Sequence, residues 1–179
     1  VQLRARSEER ARQLRQDREN PHLPGIVLPE GIQLLSQDEP LDENELVVFA
    51  TPSFALRETA RYLSGGLKKN AVLVSVVKGI EQGSNFRMTE ILRQECGETH
   101  PIAALSGPSH AEEVSRGMPT GCVAATPDLS LARYVQDVFM SSAFRVYSNQ
   151  DIVGVELGGA LKNVLELCCG VVDVLGYGD

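Results

Sequence analysis

Apolar runs of strand length punctuate the middle of the chain. "LVVFATPS" (46–53), "AVLVSVVKG" (71–79) and "PIAALSGPS" (101–109) are nearly continuous in hydrophobic residues, and each ends in turn or helix-start chemistry. "GCVAAT" (121–126) and "FRVYS" (144–148) are weaker runs of the same kind. Helical patterns lie between them, over 54–63, 88–93 and "DLSLARYVQDVF" (128–139). Continuous apolar strands alternating with helices predict βαβ units and a mostly parallel sheet covered on both faces. The right-handed crossover rule then favours a doubly wound α/β fold.

The two ends read differently. Residues 1–5 have the pattern of a strand's tail. A helix follows over 7–19, with Ser7 as its cap and Glu8 and Glu9 in its first turn, where acids suit the dipole. "PHLPGIVLPEG" (21–31) is proline-punctuated and predicts a loop. From Asp151 to Leu175 no turn signal interrupts the chain, which predicts one long helix. A domain boundary near 148–152 follows, giving a partial α/β domain over 1–150 and the first helix of a second, helical domain over 151–179.

Composition narrows the partners. The chain has 179 residues, 42% hydrophobic, with a formal net charge of −7. An acidic chain of this kind is a poor general surface for nucleic acid or anionic membranes, while a local basic site for a small anion stays open. Cys96, Cys122, Cys168 and Cys169 contain no CxxC pair, and no histidine cluster completes a metal site. A reduced, cytoplasmic setting is the expectation. The arginine-rich start lacks the apolar core of a signal peptide, and no apolar run is long enough to span a membrane.

Ligands of an open α/β sheet collect at the C-terminal ends of its strands, and polar chemistry stands at three such places. Lys78 and Gly79 close the second apolar run. The lysine there either faces solvent or holds a phosphate or carboxylate as a point charge. In "LSGPSHAEE", Gly107 and Pro108 make a turn, and Ser109 with Glu112 has capping-box spacing. A capped helix and an anion-binding helix start are equally compatible with it. In "VELGGALKN", Lys162 shares a helical stripe with Glu166 and Asp173. That spacing suits an ordinary surface ion pair. Gly158 and Gly159, however, each cost a helix about 1 kcal/mol relative to alanine, which suggests close approach by backbone or ligand. Lysine serves as a general acid–base group when its proton affinity is tuned; a carboxylate beside an amine favours the protonated form. Arg4 and Arg6 end the first strand, where an arginine accommodates the 2′-phosphate of NADP. His22, His100 and His110 read as loop, strand-flank and surface residues. No GxGxxG occurs.

"NPHLPGIVLP", "ATPSFALRE", "VSVVKGIE", "LSGPSHAEEV", "GMPT", "FRVYSNQDIVGVELGGALKN" and "GVVDVLGYGD" together resemble the bacterial-type NAD(P)-dependent glycerol-3-phosphate dehydrogenase family, in the family's order over nearly the whole chain. The resemblance implies a Rossmann domain followed by an all-helical domain. It implies a cytoplasmic oxidoreductase that interconverts sn-glycerol 3-phosphate and dihydroxyacetone phosphate with NAD or NADP and supplies glycerol 3-phosphate for phospholipid synthesis. Lys162 matches the family's proton-transfer lysine, which also touches substrate, and Lys78 a lysine contacting both substrate and cofactor. Gly107 and Ser109 match substrate-binding positions. Ala111 matches a cofactor contact, and Arg6 a basic residue near the adenosine 2′-phosphate. Arg4 stands where the family often has tryptophan.

The family's first strand and glycine-rich loop would precede Val1, and its Arg-Asn phosphate motif would follow Asp179. The chain thus resembles a central fragment, expected to be weakly active or inactive by itself. Its partners are a small phosphorylated substrate and the dinucleotide, without nucleic acid, metal or membrane insertion. A homodimer is left open. A related β-hydroxyacid-type dehydrogenase and a non-catalytic folded module are the rival expectations.

Overall fold

The computed structural model describes residues 1–41 and 44–177; Gly178 and Asp179, which end the motif "GVVDVLGYGD", lie outside them. The chain opens with β1 (Gln2–Arg4), α1 (Glu8–Asp17) and β2 (Gln33–Leu35). Ser7 caps α1 by accepting a hydrogen bond from the Arg10 amide, with Glu8 and Glu9 in the first turn, as its sequence predicts. β1 and β2 pair in parallel as a two-stranded sheet, with a small core of Ala5, Ala11, Leu14 and Leu34 beneath α1.

A second sheet is five-stranded, in the order β3-β4-β5-β6-β7. Its strands are β3 (Leu46–Phe49), β4 (Val72–Ser75), β5 (Ile102–Ser106), β6 (Thr120–Ala125) and β7 (Phe144–Asn149). A 3₁₀ turn (Ser53–Ala55) leads into α2 (Leu56–Ser64), and α3 (Met88–Cys96) follows β4. The remaining helices are α4 (Ala111–Ser115), α5 (Leu129–Phe139) and α6 (Ile152–Val174).

The pleat sends successive residues of β4 to opposite faces, which explains its unbroken apolar run. Leu73 packs with Phe49, Leu56, Met88, Ile91 and Leu92, under α2 and α3. Val74 packs with Leu105, Cys122, Val135 and Val146, under α5. Fully burying each such aliphatic chain contributes about 1.5–3 kcal/mol.

Three details depart from the sequence expectation. Strand β2 falls immediately after the proline-rich loop, in "GIQLLS", where the pattern shows no clear run. β6 runs antiparallel to β5, while β3, β4 and β5 are mutually parallel and β7 is parallel to β6. The physical reason lies in the connection. α4 spans only Ala111–Ser115, roughly 7 Å of helix, too short to carry the chain back along a strand of about 17 Å. The chain turns at the end of β5 and returns beside it. Finally, β4 stops at Ser75, shorter than the apolar run over 71–79, and Lys78 sits in the loop beyond the strand.

Candidate functional site

The C-terminal ends of β4 and β5 and the first half of α6 meet at one place. β5 delivers Ser106 and Gly107; the loop after it carries Ser109 and His110; α6 contributes Gly159 and Lys162. The contact is close because residue 159 lacks a side chain. A Cβ there would stand 2.6 Å from Ser106 Oγ and 3.5 Å from Lys78 Cγ. Gly158 has nothing comparable within 4 Å. The glycine pair therefore divides. Gly159 admits the chain's own strand end, and Gly158 faces open space.

Gly107 is fixed just as tightly. A Cβ on it would lie 2.5 Å from the Gly121 carbonyl on the antiparallel neighbour β6. Its carbonyl accepts from Lys78 Nζ at 2.7 Å and from Ser109 Oγ at 3.3 Å. Ser109 is not a helix cap. The cap position of α4 is His110, which makes no side-chain cap bond, and the Ser109 hydroxyl turns back to the Gly107 carbonyl.

Lys162 Nζ lies 3.0 Å from His110 Nε2 and 3.1 Å from Glu166 Oε1. The ion pair expected from the i,i+4 spacing is present, yet it belongs to a site as well as a surface: the Lys162 side chain is 22% exposed and that of Glu166 is 53% exposed. With the amine charged, His110 accepts through Nε2, so its ring proton sits on Nδ1. An ammonium has three N–H groups, and two are engaged here, leaving a third to address a ligand. Lys78 feels this arrangement. Burial pushes its amine below the ordinary lysine range, and the charge of Lys162 pushes the same way. An amine pushed toward its neutral form by burial and a neighbouring cation gains from an anion placed between the two.

Ser109 and Ala111 border an apolar cavity of about 510 Å³, lined also by Val76, Leu105, Phe139 and Phe144. Neither Lys78 nor Lys162 lines it, so the charged face of the loop points elsewhere.

Arg4 and Arg6 part company. The Arg4 guanidinium donates to the carbonyls of Ser36, Gln37, Glu39 and Pro40, which ties the loop after β2 to β1. Arg6 is exposed, just past the end of β1. It does not join the cluster around Lys162.

The residues after β3 fit a dinucleotide's chemistry. Thr51 Oγ1 is buried with no hydrogen-bond partner among the described residues. Phe54 is 89% exposed directly beyond it. An orphaned hydroxyl and a bare aromatic face at a strand's C-terminal end suit a ligand with polar groups and flat rings.

Glu156 was not legible as a site residue. It is a buried carboxylate on α6, bonded to Thr89 and Arg87 at the start of α3. The only sequence signal is an isolated acid inside an apolar helix. Among the described residues, no helix is long and apolar enough to cross a membrane. None of them gather as a metal-sized cluster of three or more His, Cys, Asp or Glu side chains.

The chain matches the family described as NAD-dependent glycerol-3-phosphate dehydrogenase N-terminus over residues 1–132, and the corresponding C-terminus family over residues 151–179. It is 49% identical, over 97% of its own length and 51% of the relative's, to a glycerol-3-phosphate dehydrogenase (NAD(P)+) of Pelotomaculum thermopropionicum. With the protein of that name from Desulfitobacterium hafniense it shares 46% identity over 93% of this chain and 47% of the relative. Among solved structures, the glycerol-3-phosphate dehydrogenase of Coxiella burnetii superposes with a TM-score of 0.81 at 28% identity, covering 100% of this chain and 55% of that one. The chain thus spans about half the length of the curated relatives it matches.

Proposed function

The chain belongs to the NAD-dependent glycerol-3-phosphate dehydrogenase family, and from that premise we propose that it forms the core of an enzyme interconverting sn-glycerol 3-phosphate and dihydroxyacetone phosphate. The observation that carries this reading is the convergence of Lys78 and Lys162 on the Gly107–His110 loop, where burial and the nearby charge of Lys162 prepare Lys78 for an anion.

In the reductive direction the charged Lys162 amine hydrogen-bonds the carbonyl oxygen and hands it a proton as that carbon is reduced. Bound NADH or NADPH supplies the hydride. Glu166 and His110 hold the amine in place and aim its remaining N–H. Lys78 neutralises negative charge on the substrate and stays anchored through the Gly107 carbonyl. Ser109 offers a hydroxyl at the same rim. In the oxidative direction the neutral Lys162 amine takes the hydroxyl proton.

The dinucleotide is read as lying over the end of β3, with Thr51, Phe54, Lys78 and Ala111 toward it and Arg6 toward an adenosine 2′-phosphate where NADP is used. Residues 1–150 are taken as the dinucleotide-binding unit and 151–179 as the start of a helical substrate unit. The product glycerol 3-phosphate suits phospholipid synthesis in the cytoplasm, and a homodimer is the assembly to look for.

Steady-state kinetics on the full-length protein test the reading. Dihydroxyacetone phosphate should be reduced, and Lys162→Ala should lower turnover on the order of 10²–10⁴-fold. Near-normal turnover by that variant would remove Lys162 from the proton-transfer role.

A further inference from the structure

We propose that Glu156 is a positioning residue for this site: its buried carboxylate seats α6 on the first turn of α3 and so decides where Lys162 stands relative to Lys78. The inference rests on the dehydrogenase reading for its kinetic consequence but not for its structural one.

Glu156 Oε1 accepts from the Thr89 amide at 2.8 Å. Glu156 Oε2 accepts from Thr89 Oγ1 at 2.6 Å and from Arg87 Nη1 at 2.5 Å. Its side chain is 5% exposed. A buried carboxylate tolerates only arrangements that satisfy it, so these three donors select one docking of the helix. The partner is a helix N-terminus, whose free amides and dipole favour an anion. Arg87 is held in turn by Glu90, which accepts from its backbone amide at 2.8 Å and pairs with its guanidinium at 3.0 Å.

The position of this seat gives it leverage. Glu156 and Gly159 are about one turn apart on α6. The first is fixed to α3 and the second rests against Ser106 at the end of β5. Two contacts on different elements set both the tilt and the rotation of the helix. Lys162 follows roughly 9 Å along the axis from Glu156. Beyond it, Leu165, Leu167 and Val171 are exposed, so the described part of α6 is gripped mainly near its start. A loosened seat would pivot the Lys162 amine. Arg87 also ends the loop after β4 that carries Lys78, so one carboxylate registers both amines against each other.

The test pairs kinetics with hydrogen exchange on the full-length protein carrying Glu156→Gln, Lys162→Ala, or both. Glutamine replaces one acceptor oxygen by a donor facing Arg87, with little change of volume. Glu156→Gln is expected to lower turnover of dihydroxyacetone phosphate on the order of 10²-fold, with the KM for NAD(P)H held within about twofold. The double variant is expected to be no slower than Lys162→Ala alone, because the seat acts through that amine. Exchange at the Thr89 amide and in the first turns of α6 should quicken while β4 and β5 stay protected.

Should Glu156→Gln fail to fold, Thr89→Val, which removes a single donor, carries the same measurements. Normal turnover with unchanged protection overturns the proposal. So does a double variant slowed by the full product of the two single losses. If the unsubstituted protein reduces no dihydroxyacetone phosphate, the dehydrogenase reading falls. The exchange data alone then judge the seat: faster exchange at Thr89 supports it and unchanged exchange overturns it.

Discussion

A Cβ added to residue 159 would stand 2.6 Å from the hydroxyl oxygen of Ser106, closer than real Cβ atoms come. The long helix therefore rests directly on the end of β5, and this contact brings Lys162 over the Gly107 loop.

The two helix glycines should respond oppositely to alanine. Gly158 has open space around it, so Gly158→Ala should stabilise the chain by up to about 1 kcal/mol through helix propensity. Gly159→Ala must turn the Ser106 hydroxyl away or shift α6, and overpacking of this kind costs up to about 1–3 kcal/mol. Thermal melts of the two variants, measured side by side, check the difference in sign.

Substrate affinity should weaken on the alkaline side at a lower pH than an ordinary lysine would give. Burial first, and then the charge of Lys162, depress Lys78 below 10.5. On the proposed reading its charged form binds the anion, so KM for the phosphorylated substrate should climb as pH rises through that lowered value. Lys78→Met should raise KM and flatten the climb. The stability effect has its own sign. Between the lowered value and 10.5 the folded chain binds fewer protons than the unfolded one, so this group makes the fold gain stability as pH rises.

The loop after Lys78 should resist acid. Arg57 donates to both oxygens of Glu81, at 2.6 and 2.7 Å, and hydrogen bonds from Arg57 and then Ser84 bring the Glu81 carboxyl down to about 2. A depressed carboxyl contributes its stability in full above its unfolded value of 4.5 and loses it as pH falls toward about 2. Hydrogen exchange across 79–87 should stay slow until the pH drops into that window. Arg57→Met should loosen the loop at neutral pH.

The cysteines should label in two classes. Burial pushes the Cys96 thiol up to about 11, and burial raises Cys122 against the opposing pull of Ser109 and Lys78. Cys168 and Cys169 are exposed. A thiol reagent applied to the native 179-residue chain at about pH 8 should modify Cys168 and Cys169, and reach Cys96 and Cys122 only after denaturation. Peptide mapping by mass spectrometry separates the two classes.

Much of the fold was legible because each signal is local. The apolar runs that become β3, β4 and β5 are covered on two faces, so nearly every residue in them is hydrophobic. Ser7 caps its helix with its own hydroxyl, which accepts from the Arg10 amide three residues on. β2 escaped because three residues at a short edge carry too little pattern. The reversal at β6 escaped because strand direction depends on how far α4 carries the chain, not on any residue within the strand.

Sequence alone determined the strand–helix rhythm, the unbroken helix α6 and the identity of its lysine, since periodicity and capping act within a few residues. It also placed Glu166 one turn beyond Lys162. The family resemblance already grouped Lys78 and Gly107 with that lysine; only the tertiary structure decided that His110 joins it, that Lys78 is anchored on the Gly107 carbonyl, that Gly159 serves Ser106 while Gly158 does not, and that Glu156 is buried against Thr89 and Arg87. Those contacts join residues 29 to 69 positions apart, such as Lys78 with Gly107 and Arg87 with Glu156. Chain closure over that distance is set by packing of the whole sheet, and a buried carboxylate looks the same in the sequence as a solvated one until its donors arrive.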